Sequence, residues 1–332
     1  MEKLKSLQSQ IYTVNEVSFG NIALSVFRYQ AICNPLYSRY LEARNIRPDT
    51  VSSVTQIPFL PIEFFKTHTV KTGEWNEETV FYSSGTTASA VSRHPVYDLS
   101  FYLNNTRLCF EERFGPLSGY HFLALLPSYL ERKNSSLVAM LRHFMLASGQ
   151  SMVTEGFYLD NLARLVDDIT LLRKTSSRKI VVFGVTFALL DLAEKYAPDL
   201  RGCLIFETGG MKGRRKEITR QELHAVLKSR LGIDCVYSEY GMTELFSQAY
   251  SKGGTLFTCP SWMKVLARDI TDPLQVGQLN KPGGLNVIDL ANLHTCAFIE
   301  TGDIGTVLND GTFEVLGRLD NAEIRGCNLM AE

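Results

Sequence analysis

Apolar residues are spaced along this chain first as in helices, and later as in alternating strands and helices. Within the first 50 residues, Ile22, Val26 and Phe27 follow a helical spacing that ends at "NIRPDT" (45–50). Farther along, short apolar runs alternate with amphipathic stretches. These predict helices at 160–173, 187–197 and 219–231, and strands at 179–185, 203–210 and 234–241. The alternation predicts an α/β fold with layered sheets, in which ligands bind beyond the carboxyl ends of the strands.

The remaining segments predict a helical beginning and a β-rich end. "TVFYSSGTT" (79–87) predicts a short strand entering a glycine loop, and "HFLALLPSY" (121–129) a buried strand that ends at Pro127. Thr219 and Glu222 form a capping box at the start of helix 219–231. Beyond about residue 255, "DP", "KPGG", "TGD" and "NDG" predict hairpins and turns. We therefore expect a single core over 1–332, divided into a helical segment (1–75), an α/β region (76–254), a smaller β-rich subdomain (255–318) and a short tail (319–332).

Composition narrows the class of protein without identifying it. The chain has 332 residues, 45% hydrophobic and 21% charged, with a formal net charge of -1, which is typical of a globular protein and gives no electrostatic case for nucleic acid. The basic stretch 211–217 is interpreted as a solvated loop. No apolar run reaches the roughly 18 residues of a membrane span, and the beginning lacks a signal-peptide core, so a cytoplasmic protein is expected. The seven cysteines show no CxxC pair, which favours free thiols, most of them buried.

Several common catalytic and nucleotide-binding motifs are absent from the sequence. There is no GxxxxGK[ST] and no GxGxxG, so neither a Walker loop nor a dinucleotide-binding turn is supported. HExxH and GxSxG are also missing, which disfavours the familiar metalloproteases and hydrolases.

Five short segments carry candidate chemistry, and each has an ordinary structural alternative. "SSGTT" (83–87) offers hydroxyls and a glycine that can surround an anion, or simply turns the chain. "ETGGMKG" (207–213) has two glycines against which a flat ligand can lie, or is a plain loop. "EYGMTE" (239–244) offers an aromatic face, a hydroxyl and a carboxylate for magnesium, or forms a helix N-terminus. In "IETGDIGTV" (299–307), Asp303 can accept two ribose hydroxyls or sit in an ordinary turn.

The fifth segment, "LGRLDNAEIRGCNL" (316–329), places a cysteine near basic residues. If 323–327 is extended, Arg325 and Cys327 point to the same face, where the guanidinium lowers the thiol pKa. The alternative is a surface strand with an incidental cysteine.

Taken in order, these five segments resemble the motifs of the adenylate-forming superfamily of acyl-CoA synthetases, firefly luciferase and peptide-synthetase adenylation domains. The resemblance covers about residues 80–327. Within that superfamily, "SSGTT…SRH" (83–94), "LLPSYLERKNSSLVAM" (125–140), "PSWMKVLARD" (260–269) and "RGCNL" (325–329) resemble the acyl-protein synthetase subunit of the bacterial luminescence fatty-acid reductase. The phenylacetate-CoA ligase branch is a more distant relative. The resemblance implies the adenylate-forming large-domain architecture.

The resemblance also implies a role for each matching residue, with ATP and Mg²⁺ as cofactors. The implied roles are these: Ser83, Ser84, Gly85, Thr86 and Thr87 around the ATP phosphates; Gly209, Gly210, Tyr240 and Gly241 in the nucleotide site, with the adenine between Tyr240 and the glycine pair; Thr243 at the α-phosphate; Glu244 at the magnesium; Asp303 at the ribose hydroxyls with Arg318 close by; Asp320 at the interdomain hinge; and Cys327 as acyl acceptor.

The sequence departs from the superfamily pattern at three points. Ala88 stands where a glycine usually follows "SGTT", and the lysine that often comes next is missing; Arg93 and His94 are candidates for the positive charge. The sequence given ends at Glu332, and the typical small C-terminal domain with its catalytic lysine is expected to be absent. A cysteine of the chain is then the expected substitute for coenzyme A.

The implied reaction is activation of a carboxylic acid, with a fatty acid as the family-derived substrate. The carboxylate attacks the α-phosphate of ATP, and a thiolate, Cys327, takes the acyl group before it passes to a partner protein or carrier. Two alternatives remain open. One is an aryl or acyl ligase that loads coenzyme A or a carrier with Cys327 uninvolved. The other is a non-catalytic scaffold that binds nucleotide.

Overall fold

The computed structural model describes residues 2–83, 91–126, 134–150, 156–158, 160–209 and 218–318, and for residues 2, 3 and 5 the backbone alone. The helices of this part of the chain are α1 (Glu2–Ile11), α2 (Glu16–Cys33), α3 (Pro35–Ala43), α4 (Phe64–Thr67), α5 (Leu99–Phe114), α6 (Ser136–Ala147), α7 (Leu162–Thr175), α8 (Thr186–Lys195) and α9 (Arg220–Leu231). The strands are β1 (Leu60–Pro61), β2 (Thr79–Tyr82), β3 (Arg93–Val96), β4 (Tyr120–Leu125), β5 (Phe157–Tyr158), β6 (Lys179–Val185), β7 (Leu204–Thr208), β8 (Val236–Tyr240), β9 (Ala249–Ser251), β10 (Leu256–Thr258), β11 (Met263–Arg268), β12 (Val276–Gln278), β13 (Pro282–Asp289), β14 (Phe298–Val307) and β15 (Phe313–Arg318).

By packing, these elements fall into two compact units. Unit 1 consists of the residues up to Trp75 together with those from Ser261 onward, and unit 2 consists of Asn76–Pro260. No helix among the described residues is both long and apolar enough to cross a bilayer.

Unit 2 contains a sheet in the order β10-β9-β8-β7-β6-β4-β5. Strands β5, β4, β6, β7 and β8 run parallel, and β9 and β10 continue the sheet antiparallel. A two-stranded antiparallel hairpin, β2–β3, stands apart from it. Because neighbouring parallel strands point the same way, β6, β7 and β8 end at one edge of the sheet, which is the edge where open α/β sheets bind their ligands.

The core of unit 2 is built around aromatic rings on one face of that sheet. Phe183, Phe206 and Tyr237 lie on adjacent strands in register and stack, with ring centroids 4.7 and 5.0 Å apart. Phe110 and Phe114 of α5 pack against Phe206 from above, with centroids 5.8 and 5.0 Å away. Rings in such contact bury large apolar areas, so this layer fixes the strand ends that carry the candidate site.

Unit 1 contains an antiparallel sheet in the order β12-β11-β13-β14-β15, and the short β1 pairs in parallel with the start of β14. Asn15 caps α2 through a side-chain bond from the Ser18 amide. Gln30 of α2 is buried and donates to the carbonyls of Asn292 and Leu293, which ties the helix to the loop between β13 and β14.

Most of the predicted regular elements are confirmed. The strand 179–185 is found with those bounds, and the predicted helices at 160–173, 187–197 and 219–231 correspond to α7, α8 and α9. The capping box at Thr219 is present, with the Thr219 amide donating to Glu222 and the Glu222 amide to Thr219 Oγ1. The β-rich character beyond residue 255 is also found.

Two glycine-containing segments are wrong as turn predictions. Pro282–Gly284 of "KPGG" and all of "TGD" lie inside strands β13 and β14, whereas the turns predicted at "DP" and "NDG" are confirmed at Asp272 and Gly311. The glycines mark close approaches between neighbouring chains: a Cβ on Gly305 would lie 2.0 Å from the Glu314 carbonyl oxygen, and one on Gly283 would lie 2.4 Å from the Arg268 carbonyl oxygen.

The prediction that most cysteines are buried holds for half of those described. Cys109, Cys203 and Cys296 are buried, whereas Cys33, Cys235 and Cys259 are partly exposed. Burial raises the pKa of Cys296 to about 12 and also raises the pKa of Cys203, so neither is a reactive thiolate at neutral pH.

Candidate functional site

In unit 2, the ends of β7 and β8 carry two residues that were predicted to bind the nucleotide, at matching positions along the two paired strands. Glu207 pairs with Ser238, so Gly209 and Tyr240 each lie two residues beyond a paired position. Gly209 has φ +68°, a left-handed conformation that suits glycine, and its carbonyl accepts a 2.9 Å hydrogen bond from the Thr186 hydroxyl. Tyr240 is buried, with its ring 5.8 Å from that of Phe257.

The loop after β8 carries the next three predicted residues. Met242 and Leu245 close a turn through a 3.1 Å hydrogen bond from the Leu245 amide to the Met242 carbonyl, and β9 follows the loop. The alternative of a helix N-terminus at Thr243 is therefore wrong. Thr243 is partly exposed and Glu244 is buried within this turn. We call Gly209, Tyr240, Gly241, Thr243 and Glu244 the strand-end cluster.

Gly241 is a glycine because a carboxylate fills the space beside it. A Cβ there would lie 2.1 Å from Glu239 Oε1 and 3.3 Å from Gln248 Cγ. The backbone of the strand-end cluster at Gly241 thus lies next to the Glu239 carboxylate.

Two glutamates lie at the ends of these strands, the buried Glu207 and the partly exposed Glu239, and neither was predicted to have a role. Burial alone would raise the pKa of Glu207, but a hydrogen bond from His224 and the charge of Arg220 outweigh it, and the pKa lies below its ordinary value. Arg220 Nε is 3.0 Å from Glu207 Oε1. The visible signal was a glutamate within each apolar strand, "LIFET" and "VYSEY".

Glu239 behaves in the opposite way, because no cation among the described residues lowers its pKa. Burial raises its pKa to about 7, against the effect of a hydrogen bond that the Thr208 hydroxyl donates, and the charge of Glu207 raises it further. Glu239 is therefore a carboxyl group that changes its charge near neutral pH.

A histidine joins the hydroxyl-rich segment to the strand-end cluster. His94 of β3 is buried, and its Nδ1 lies 2.6 Å from the carbonyl oxygen of Thr243, which can only accept, so Nδ1 donates. At the end of the same hairpin, the Ser83 amide donates to the Ser92 carbonyl (3.1 Å) and the Ser92 amide to Ser83 Oγ (2.9 Å). The hairpin that carries Ser83 at its end is thus hydrogen-bonded, through His94, to Thr243 of the strand-end cluster. Ser84, Gly85, Thr86 and Thr87 lie outside the described residues, as does Gly210.

The same histidine is a poor source of positive charge. Burial lowers the pKa of His94 to about 4, so the ring is neutral at physiological pH. Arg93, exposed at the start of β3 and paired across the hairpin with Tyr82, is left as the candidate cation of the two.

In unit 1, Asp303 and Arg318 occupy directly paired positions on β14 and β15. Arg318 Nε is 2.9 Å from Asp303 Oδ1; the Asp303 side chain is 7% exposed and that of Arg318 69%. The expectation that these two lie close together is met. Asp320 and Cys327 lie outside the described residues.

Metal ligands are sparse in the part of the chain that the structure describes. It contains no group of three or more His, Cys, Asp or Glu side chains that could hold a metal ion. A magnesium ion that is carried by substrate phosphates needs only one or two protein carboxylates, and Glu244, which was predicted as such a ligand, is a buried carboxylate of the strand-end cluster. The residues present fit such an ion.

The fold of this chain is the large-domain fold of adenylate-forming ligases. No family model and no curated protein matches the sequence. Among solved structures, 2-hydroxyisobutyryl-CoA ligase in the postadenylation state, in complex with 2-HIB-AMP, superposes with a TM-score of 0.66 and 14% identity, over 94% of this chain and 70% of that one. The same ligase in complex with 2-HIB-AMP and CoA gives a TM-score of 0.65 at 15% identity, over 94% and 71%.

A second structure with a similar fold is ATP-bound MatB from Rhodopseudomonas palustris, with a TM-score of 0.52 and 15% identity, covering 74% of this chain and 49% of MatB. The chain thus spans about half the length of MatB. At these identities the likeness establishes the fold, and it confirms the predicted fold class.

Proposed function

We propose that this protein activates a carboxylic acid with ATP, forming an acyl-adenylate, and passes the acyl group to a thiol. The observation that carries the proposal is a set of hydrogen bonds that links two predicted motifs of unit 2. The His94–Thr243 bond and the Ser83–Ser92 pair link the hairpin that carries Ser83 at its end to the strand-end cluster. Phosphate-binding hydroxyls, a flat glycine and aromatic surface, and a carboxylate are the groups that an ATP site needs.

Each member of the cluster has a proposed part in binding ATP. The segment Ser83–Thr87 surrounds the phosphates through hydroxyls and backbone amides, and Thr243 contacts the α-phosphate. Gly209, with Gly210, and Tyr240 hold the adenine. Gly241 contacts the nucleotide through its backbone. Asp303 accepts hydrogen bonds from the ribose hydroxyls, with Arg318 orienting its carboxylate.

Glu244 is the proposed protein ligand of Mg²⁺. Bound there, the ion would neutralise charge on the phosphates. The chain itself supplies alignment: the phosphates are held so that the substrate carboxylate can approach in line with the bond to be broken.

The chemistry then requires two steps. A carboxylate oxygen attacks the α-phosphorus, the bond from that phosphorus to the bridging oxygen of the β-phosphate breaks, and pyrophosphate leaves with the electron pair. A thiolate next attacks the acyl carbonyl carbon, the carbon–oxygen bond to AMP breaks, and AMP leaves with that electron pair. The products are a thioester, AMP and pyrophosphate.

The acceptor and substrate are proposed from the resemblance to acyl-protein synthetases. Cys327 is the proposed internal acceptor, a fatty acid the proposed substrate, and a partner or carrier protein the final recipient. Of the described cysteines, Cys203 and Cys296 have raised pKa values, which makes them unsuitable for this role.

Carboxylate-dependent exchange of labelled pyrophosphate into ATP tests the activation step. The panel contains fatty acids of increasing chain length, aryl acids and short hydroxy acids. Exchange with at least one acid is expected, and Thr243→Val and Glu244→Gln should each lower its rate about 100-fold, the scale on which single transition-state contacts act. Glu194→Gln, on the exposed side of α8, is the matched control. ATP binding without exchange for any acid would support a non-catalytic scaffold and refute the proposal.

The acceptor is tested separately with Cys327→Ser and a radiolabelled acid. The wild-type protein should retain label after denaturation and lose it in hydroxylamine, whereas the variant should exchange pyrophosphate normally but retain no label. Labelled coenzyme A thioester formed equally by both proteins would identify coenzyme A as the acceptor and exclude Cys327.

A further inference from the structure

Strand β14 contains a bulge at the position of the predicted ribose-binding residue. Asn286 pairs with Glu300 and Gly284 with Ile304, so the three residues 301–303 on β14 face only Leu285 on β13. A bulge of this kind bends its strand and re-aims a side chain. The "TGD" segment, predicted as a turn, is therefore an irregularity within a strand that directs Asp303.

The Thr301 side chain holds this bulge from inside. Its hydroxyl donates to the Leu285 carbonyl at 2.7 Å and accepts from the Asp303 amide at 3.1 Å. Thr301 is 2% exposed, so no water replaces these bonds if the hydroxyl is removed.

Arg268 holds the same bulge from β11, on the far side of β13. Its Nη1 donates to the Leu285 carbonyl (2.9 Å) and to Asn286 Oδ1 (2.8 Å), and its Nη2 donates to the Thr301 carbonyl (2.8 Å). Its Nε lies 3.6 Å from Glu300 Oε1. The guanidinium thus binds both sides of the bulge at once.

The path of the Arg268 side chain explains why residue 284 is a glycine. Arg268 pairs with Gly284 across β11 and β13, and a Cβ on Gly284 would lie 2.5 Å from Arg268 Cζ. The arginine reaches β14 only because β13 has no side chain at that point. Arg268 is 5% exposed, and a buried cation placed this way needs every one of its bonds.

We propose that Arg268 and Thr301 are positioning residues that hold the 301–303 bulge so that the Asp303 carboxylate meets the ribose hydroxyls; this rests on the proposed function. Neither residue touches the nucleotide. They act by fixing the backbone that carries Asp303, and so they set the preference of the protein for a nucleotide with ribose hydroxyls.

The test compares binding of ATP and 2′,3′-dideoxy-ATP to the full chain by titration calorimetry. The wild-type protein should prefer ATP, and Asp303→Asn should remove the preference. Thr301→Val should weaken the preference about 10-fold while leaving the affinity for dideoxy-ATP within about 2-fold, because only the charge-assisted bonds to the hydroxyls are lost. Thr301→Ser should restore the preference, and Arg268→Lys should reduce it as Thr301→Val does. Thr306→Val, on the same strand beyond the bulge, should behave as wild type.

The outcomes separate the inference from the function on which it rests. If the wild-type protein does not bind ATP, the proposed function fails and the inference with it. If the wild type and Asp303→Asn behave as expected but Thr301→Val and Arg268→Lys keep the full preference, only the inference is overturned. Variants that are less stable but retain the ratio of affinities would show a purely structural role, and would also overturn it.

Discussion

Changing Glu239 to glutamine should stabilise the protein at pH 8 and have a much smaller effect at pH 5. Burial raises the pKa of this carboxyl group from its ordinary value of 4.5 to about 7. The folded protein therefore holds the proton more tightly than the unfolded chain does. The stability that this proton contributes is complete below about pH 4.5 and is lost as the pH rises through about 7.

The magnitude follows from the displacement of the pKa. A difference of about 2.5 pKa units, at about 1.4 kcal/mol per unit, amounts to about 3 kcal/mol between the two limits. From pH 5 to pH 8 the wild-type protein should lose about 2 to 3 kcal/mol of this contribution. Glutamine keeps an oxygen that can accept from the Thr208 hydroxyl but cannot ionise, so it removes the loss.

Urea unfolding at half-unit intervals from pH 5 to pH 8 measures the effect. The difference in unfolding free energy between the variant and the wild type should grow with pH, and taking this difference cancels the titration of all other groups. Glu194→Gln, an exposed glutamate, should give a flat difference. A flat difference for Glu239→Gln, or one that shrinks as the pH rises, would refute the reasoning about burial.

Three further substitutions test other contacts. Gly241→Ala should destabilise the fold by about 1 to 3 kcal/mol through overlap with Glu239 Oε1, and adding Glu239→Ala should relieve part of this in a double-mutant cycle. Gly284→Ala should cost about 2 to 4 kcal/mol in urea unfolding by displacing a buried guanidinium, whereas Gly302→Ala, with nothing within 4 Å of its Cβ, should cost little. Thr219→Ala should lose about 1 kcal/mol with the cap of α9, and Thr219→Ser should retain it.

The predictable part of the fold was the part with local signals. The strand 179–185 is a short, continuous apolar run, and α9 begins at a capping box, so each is specified by its own residues. The order of five short segments was also available without coordinates. Together they indicated the fold class, although no single segment did.

Helix α5 was missed because its sequence is not amphipathic. α5 buries Asn105 and Thr106 along with its aromatic residues, since Asn105 Nδ2 donates to the Phe246 carbonyl at 2.8 Å. When polar residues are buried, the helical period disappears from the sequence, and tertiary packing decides the structure. α6 was also missed, although its buried residues Met140, Leu141, Phe144 and Met145 follow a helical spacing.

The charge of a glutamate is a property that the sequence alone leaves undetermined, as Glu207 and Glu239 show. Glu207 and Glu239 are the same residue type near the ends of adjacent parallel strands, yet their pKa values move in opposite directions. Arg220 and His224 reach Glu207 from one side of the sheet because α9 begins where it does. Within the described part of the chain, Glu239 receives a hydrogen bond from a hydroxyl and is paired with no cation. Strand register and helix placement therefore decide which glutamate is charged. The Glu239 carboxylate lies next to Gly241. The charge beside the strand-end cluster near neutral pH therefore depends on long-range packing that no local motif encodes.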